Sequence, residues 1–122
     1  MPHVLIVEDE PSIVTPLRFL MEQEGCSVQV IDDGAHVMDA LDQQLPDLVL
    51  LDVMLPSRNG YDLCNAIRQR PDGNDLAIIM LTVKGREVDI QKGYAMGADA
   101  YITKPFAVAD VVATARKYLP DA

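Results

Sequence analysis

Leu48-Val49-Leu50-Leu51-Asp52-Val53-Met54-Leu55-Pro56 is the stretch on which the fold turns. Four consecutive apolar residues end abruptly in a carboxylate. A short unbroken apolar run reads as a strand buried on both faces, as in a parallel sheet. Upstream, Val4-Leu5-Ile6-Val7 runs into Glu8-Asp9-Glu10 in the same way. In an open parallel sheet, ligands and chemistry gather beyond the carboxyl ends of the strands. Two strands therefore deliver Glu8, Asp9 and Asp52 to one rim. Three carboxylates with no sequence-adjacent cation repel one another. A hard divalent cation with oxygen ligands relieves that repulsion.

Outward from this stretch, strand-like and helix-like patterns alternate five times. Pro11 and Ser12 stand where a helix begins, and Ile13, Leu17, Leu20 and Met21 follow at helical spacing until Gly25 stops it. Val28-Gln29-Val30-Ile31 is a half-polar strand suited to a sheet edge. Asp32-Asp33-Gly34 turns the chain into a helix carrying Val37, Met38 and Leu41, which ends before Pro46. Residues 47–51 form the central strand, 56–60 a loop, and 61–70 a third helix with Leu63, Cys64 and Ile67 inward. After the turn Pro71-Asp72-Gly73-Asn74, a fourth buried strand, Ala77-Ile78-Ile79-Met80-Leu81, ends at Thr82. A fourth helix is expected near 87–96, closed by Gly97, before a fifth strand Ala100-Tyr101-Ile102-Thr103 that ends at Lys104-Pro105. The last helix sets Val108, Val111, Val112, Ala115 and Leu119 on one stripe. Such alternation, with right-handed crossovers, gives an α/β fold built on a doubly wound parallel sheet.

Composition narrows the function. With 122 residues the chain is read as one domain, 1–122, with a single sizeable core. Ten basic against nineteen acidic residues leave a net charge of −9. That surface repels DNA phosphates and anionic lipid, so neither nucleic acid nor membrane is expected as a direct partner. It suits metal cations and basic protein patches. No apolar run approaches the roughly eighteen residues of a membrane span, and Met1-Pro2-His3 leads into a strand rather than a signal peptide. Cys26 and Cys64 lack metal-ligand spacing and read as buried free thiols in a reducing cytoplasm. His3 and His36 have no supporting carboxylate at helical spacing, and read as neither phosphodonors nor metal ligands.

Four strand ends now present Glu8-Asp9, Asp52, Thr82 and Lys104 together. The acid pair and third carboxylate can bind Mg²⁺ while leaving room for water and a phosphoryl group. Asp52 can act as a nucleophile, because carboxylates form acyl phosphates. Lys104 offers an ammonium against developing phosphoryl charge, and Thr82 a hydroxyl donor. Singly, each group has a plainer reading: a strand-end Asp or Thr caps a helix, and a lone Lys is solvated. One such group at each of four parallel strand ends is harder to dismiss. A dinucleotide-binding fold would need a Gly-rich turn after the first strand, where Glu8-Asp9-Glu10 would repel a pyrophosphate. A Mg²⁺-dependent aspartyl-phosphate phosphatase is a distant alternative; it would want a second acid two residues beyond Asp52, and Met54 stands there.

These residues resemble the receiver domain of two-component response regulators, the CheY-like family. The likeness rests on Leu5-Ile6-Val7-Glu8-Asp9-Glu10, on Pro46-Asp47 through Leu55-Pro56 with Gly60, on Ile79-Met80-Leu81-Thr82, and on Gly97-Ala98-Asp99-Ala100-Tyr101-Ile102-Thr103-Lys104-Pro105-Phe106. It implies a flavodoxin-like five-stranded sheet of order 2-1-3-4-5 with five helices. It further implies that Asp52 accepts a phosphoryl group from a partner histidine kinase or histidine phosphotransfer protein. Glu8, Asp9, Asp52 and the backbone carbonyl of Met54 would hold Mg²⁺ (or Mn²⁺). Thr82 and Lys104 would grip the phosphoryl oxygens, and Tyr101 would rotate to report phosphorylation. The peptide before Pro105 would be cis. The fourth helix, fifth strand and fifth helix would present the switched face to a downstream protein. The domain would be no enzyme beyond its own phosphoryl transfer and loss.

Several positions depart from the family pattern. Val83 follows Thr82 where a smaller residue is usual, which would narrow the phosphoryl site. Ala100 and Thr114 stand where the winged-helix DNA-binding subfamily pairs an acid with a base, and Ile90 and Met96 replace further dimer-bridging charges. A monomer or weak dimer is therefore expected. Met54 and Lys84, the side chains best placed to influence a hydrolytic water, are poor at orienting one, so a long-lived phosphoryl group is expected. Ending at Leu119-Pro120-Asp121-Ala122 without a linker leans towards a stand-alone receiver. The alternative is an N-terminal or internal receiver of a longer DNA-binding regulator or hybrid kinase.

Overall fold

The computed structural model describes residues 1–83, 91–92 and 94–120, and of Val83 the backbone alone. Every side chain of β1 (His3–Val7) and β3 (Leu48–Asp52) is buried, as the unbroken apolar runs require of strands covered on both faces. β2 (Ser27–Ile31) is half-buried throughout and forms one edge. β4 (Ala77–Val83) and β5 (Ala100–Lys104) complete a five-stranded, wholly parallel sheet of order β2-β1-β3-β4-β5. The order is the expected one. Register pairs Val7 with Leu51, Asp52 with Leu81, and Thr82 with Thr103. The ends of β1, β3, β4 and β5 thus lie side by side on one rim.

The sheet's two-residue period divides the core in two. Leu5, Val7, Val49, Leu51, Ile78 and Met80 face α2 (Val37–Gln43) and α3 (Gly60–Gln69) through Val37, Leu41, Leu63, Cys64 and Ile67. Val4, Ile6, Leu48, Leu50, Ile79 and Leu81 face α1 (Pro11–Gln23) and the C-terminal helix (Val108–Tyr118) through Leu17, Leu20, Met21, Val111 and Ala115. Alternate residues of each strand serving opposite helix layers is what makes the sheet doubly wound. Of the expected fourth helix, residues 91, 92, 94 and 95 are helical, and 84–90 and 93 fall outside the described residues. No described helix is long and apolar enough to cross a membrane.

Local chemistry sets the boundaries. Asn59 caps α3, its Oδ1 accepting the Asp62 N–H at 2.9 Å, so the helix starts at Gly60 rather than Tyr61. Gly60 must be glycine: a Cβ there would lie 2.2 Å from the Asp52 carbonyl oxygen. Its N–H donates to the Val53 carbonyl at 2.8 Å, closing the loop that leaves β3. Arg68 of α3 donates to the carbonyls of Gly97, Gly73 and Leu76 at 2.9, 2.6 and 2.8 Å, and to Asp99 Oδ2 at 2.7 Å. Asp99 Oδ2 also accepts the Ile78 N–H at 2.8 Å, so one guanidinium ties α3 to the segments entering β4 and β5.

Both cysteines are free and buried, as expected. Burial pushes the Cys64 thiol up to about 11, against a smaller opposing effect of Arg68. The folded state therefore holds this proton more tightly than the unfolded state, and stability is full below the ordinary thiol value and falls as pH rises towards 11. Denaturant titrations at pH 8 and 10 should show a loss about 1 kcal/mol greater in the parent than in Cys64→Ala. Equal losses in the two proteins would refute this account of the thiol.

Candidate functional site

Glu8 follows the last residue of β1 and is fully buried. Its Oε1 accepts the Glu10 N–H at 3.2 Å and its Oε2 accepts Lys104 Nζ at 2.9 Å. Asp52 ends β3, buried, with Oδ1 accepting the Met54 N–H at 3.1 Å and lying 3.1 Å from Lys104 Nζ. Asp9 is exposed at the mouth. One carboxylate oxygen from each of Glu8, Asp9 and Asp52 lies within 4.8 Å of the others. The sequence expectation of a shared acidic rim is met, with one addition. The cation that nearby sequence does not supply comes from Lys104, ninety-six positions from Glu8 along the chain.

Burial raises the Glu8 carboxyl, and hydrogen bonding and charge from Asp52 add to the rise. Lys104 pulls the other way, and the carboxyl ends at about 7. Burial alone would lower the Lys104 ammonium, but its ion pairs with Glu8 and Asp52 prevail and hold it above its ordinary value. Lys104 thus stays charged between two acids rather than standing solvated. Thr82 is buried, and its Oγ1 has no hydrogen-bond partner among the described residues. A buried hydroxyl left unpaired costs on the order of 1–3 kcal/mol, so such a group marks a place where an acceptor is wanted.

Asp9, Asp52, Thr82 and Lys104 line a cleft of about 650 Å³ that also has apolar walls, Ile13 and Pro16 of α1, and Pro105 and Phe106 beyond β5. The Lys104–Pro105 peptide is cis, as expected. Sequence reading did not mark Ile13 and Pro16 as walls, because only the placement of α1 against the β5 end shows which of its faces meets the cleft. Met54 is exposed at 68%, its N–H engaged with Asp52. Tyr101, half-buried on β5, meets Tyr94 edge-to-face at 4.9 Å. Lys84, Ile90 and the Val83 side chain lie outside the described residues. Ala100, Met96 and Thr114 are half-buried and bring no charge to their faces.

An all-oxygen set of three carboxylates, in a cleft shared with a hydroxyl unpartnered among the described residues, suits a small hard cation carrying a phosphoryl oxygen in its shell. The donor set therefore fits Mg²⁺.

The chain matches the response regulator receiver domain over residues 4–116. It is 41% identical over 119 residues to the phosphate regulon transcriptional regulatory protein PhoB of Rhizobium meliloti, covering 98% of this chain and 52% of that protein. It is 40% identical over 119 residues to the sensory transduction protein RegX3 of Mycobacterium tuberculosis, covering 98% and 51%. The chain spans about half the length of these curated relatives. Among solved structures, the receiver domain of the TMAO respiratory system response regulator TorR is similar with a TM-score of 0.88 and 37% identity, covering 96% of this chain and 95% of that one. Chemotaxis response regulator CheY4 of Vibrio cholerae gives 0.90 and 27%, covering 98% and 99%. The receiver domain of sensor histidine kinase PA1611 from Pseudomonas aeruginosa gives 0.87 and 27%, covering 96% of each chain, and carries a magnesium ion coordinated in its active site cleft.

Proposed function

The chain belongs to the response regulator receiver domain family, and from that premise we propose that Asp52 accepts a phosphoryl group from a partner histidine kinase or histidine phosphotransfer protein. The observation that carries this reading is Thr82 Oγ1, a buried donor without an acceptor among the described residues, in the cleft that holds Asp52 and Lys104. A phosphoryl group on Asp52 brings the acceptor that this hydroxyl lacks.

Asp52 Oδ1 is oriented by the Met54 N–H and by Lys104. The second carboxylate oxygen is the nucleophile. Its O–P bond forms as the N–P bond of the donor phosphohistidine breaks, and the electron pair leaves on the imidazole nitrogen. Glu8, Asp9, Asp52 and the Met54 backbone carbonyl would hold Mg²⁺ or Mn²⁺. When bound, the ion supplies positive charge against the phosphoryl oxygens. Support comes from the three-carboxylate cluster and from the magnesium reported in the related PA1611 cleft. Thr82 donates its hydrogen bond to a phosphoryl oxygen, and Lys104 moves its charge from Glu8 towards another. The domain acts on no substrate other than its own phosphoryl group.

Capture of the phosphoryl group draws on the ends of β4 and β5 and biases Tyr101, a population shift between two packings. The face formed by the fourth helix, β5 and the C-terminal helix then meets a downstream protein. The chain works in the cytoplasm as a monomer or weak dimer and binds no DNA itself. Because the chain spans about half of PhoB and RegX3, a second reading is the receiver of a longer DNA-binding regulator; the length of the native reading frame decides between them.

The test is phosphorylation in vitro. Incubation with acetyl phosphate and Mg²⁺ should add one phosphoryl group, located at Asp52 by borohydride reduction and peptide mass spectrometry, and chelation should prevent it. A label on another residue would overturn the assignment. Amide exchange with and without beryllofluoride should also change over 100–106; changes confined to the cleft would remove the proposed output face.

A further inference from the structure

Ser57 adopts φ 71°, the left-handed region, and is the non-glycine residue to do so among the described residues. An L side chain in that region is strained relative to glycine and persists only where its surroundings over-determine it. The surroundings here are specific. Ser57 Oγ donates to Asp33 Oδ2 at 3.2 Å. Asp33 is itself aimed, its Oδ1 accepting the Ala35 N–H at 2.9 Å in the turn after β2. The two segments also touch at Gly34, where a Cβ would stand 3.3 Å from Arg58 Cβ and 2.9 Å from Leu63 Cδ1.

The loop that Ser57 belongs to is short and closed. The Gly60 N–H holds the Val53 carbonyl at its base, the Arg58 N–H bonds the Pro56 carbonyl at its tip, both at 2.8 Å, and Pro56 stiffens the chain before Ser57. Met54 lies within it, its N–H on Asp52 Oδ1. From this geometry we propose that Asp33 and Ser57 form a latch that sets the affinity of the cation site, by fixing the loop that carries Met54. They are positioning residues, since neither belongs to the cluster Glu8, Asp9 and Asp52. The inference rests on the reading of the cleft as a Mg²⁺ site, and it adds two residues that the reaction chemistry does not name.

Isothermal titration of the full chain with MgCl₂ tests it, alongside thermal melts. Losing one exposed hydrogen bond should weaken Mg²⁺ binding about three-fold in Ser57→Ala and in Asp33→Ala. Ser57→Gly should weaken it equally while melting no lower than the parent, because glycine relieves the backbone strain. That combination separates positioning from plain stabilisation. Asp33→Asn removes the same charge as Asp33→Ala but keeps side-chain hydrogen bonding to both Ala35 and Ser57, so it should bind Mg²⁺ nearly as the parent does. Unchanged affinity in Ser57→Ala, or equal weakening in Asp33→Asn and Asp33→Ala, would overturn the latch while leaving the metal site standing. A parent protein that takes up no Mg²⁺ would overturn both.

Discussion

Asp52→Asn is expected to abolish phosphoryl uptake and, in metal-free solution, to raise the stability of the fold. The first effect follows from chemistry, since an amide oxygen is too poor a nucleophile to take a phosphoryl group. The second follows from the company Asp52 keeps. Its carboxylate is buried, shares a cluster with Glu8 and Asp9, and helps push the Glu8 carboxyl up to about 7. Asparagine has the same shape. Its oxygen can still accept the Met54 N–H now held at 3.1 Å, and its amide hydrogens can donate to Glu8 where a carboxylate could not. Lys104 keeps its 2.9 Å bond to Glu8. Replacing a buried charge by a well-paired neutral isostere is often stabilising by about 1–2 kcal/mol, and in a chain of this size that is roughly 3–6 °C in Tm. With Mg²⁺ present the order should narrow or reverse, because the parent gains a cation that the variant has lost a charge to hold. Melts in chelator and in Mg²⁺ measure both signs. A variant that melts below the parent in chelator would show that attraction to Lys104, not repulsion among the acids, governs Asp52.

Both outcomes depend on a site whose placement was readable and whose pairing was not. Unbroken apolar runs at 4–7, 48–51 and 77–81 declare buried parallel strands, and the half-polar 28–31 declares an edge, because period and composition report burial directly. Strand ends then place Glu8, Asp9, Asp52, Thr82 and Lys104 on one rim with no further information. What those groups do to one another is set by distances that cross the sheet. Lys104 reads in sequence as an ammonium waiting for phosphate, yet it already bridges Glu8 and Asp52. The Ser57–Asp33 bond, spanning twenty-four positions between two exposed turns, leaves no periodic trace in sequence. Arg68 was equally silent: a lone basic residue near a helix end reads as solvated, and only the fold brings four acceptors to it. The start of α3 differed by one residue for a legible reason, the Asn59 cap.

Lys104→Met is expected to move fold stability and metal affinity in opposite directions. Methionine fills a similar length of cleft without charge, so packing is largely kept and the loss is electrostatic. Nζ lies 2.9 Å from Glu8 Oε2 and 3.1 Å from Asp52 Oδ1, with the lysine side chain only 18% exposed. Removing one partner of a buried pair costs about 3–5 kcal/mol when the orphaned charge has no escape. Here Glu8, already at about 7 with the lysine in place, can keep its proton. The metal-free cost should therefore be smaller, about 2 kcal/mol. Mg²⁺ would use carboxylates that Lys104 now occupies. Without that competing cation, binding should tighten about ten-fold, a gain of about 1.4 kcal/mol, once the pH is high enough to ionise Glu8, whose carboxyl rises further when Lys104 is gone. The gap between melts in chelator and in Mg²⁺ should widen accordingly. Phosphoryl uptake should nonetheless slow, by about a hundred-fold, because the Lys104 ammonium no longer meets the charge on the transferred group. Tighter metal with slower transfer is a pairing that general damage to the cleft cannot produce, since damage weakens both. If Mg²⁺ bound the variant no better than the parent, Lys104 would not be the competitor that its position between Glu8 and Asp52 indicates.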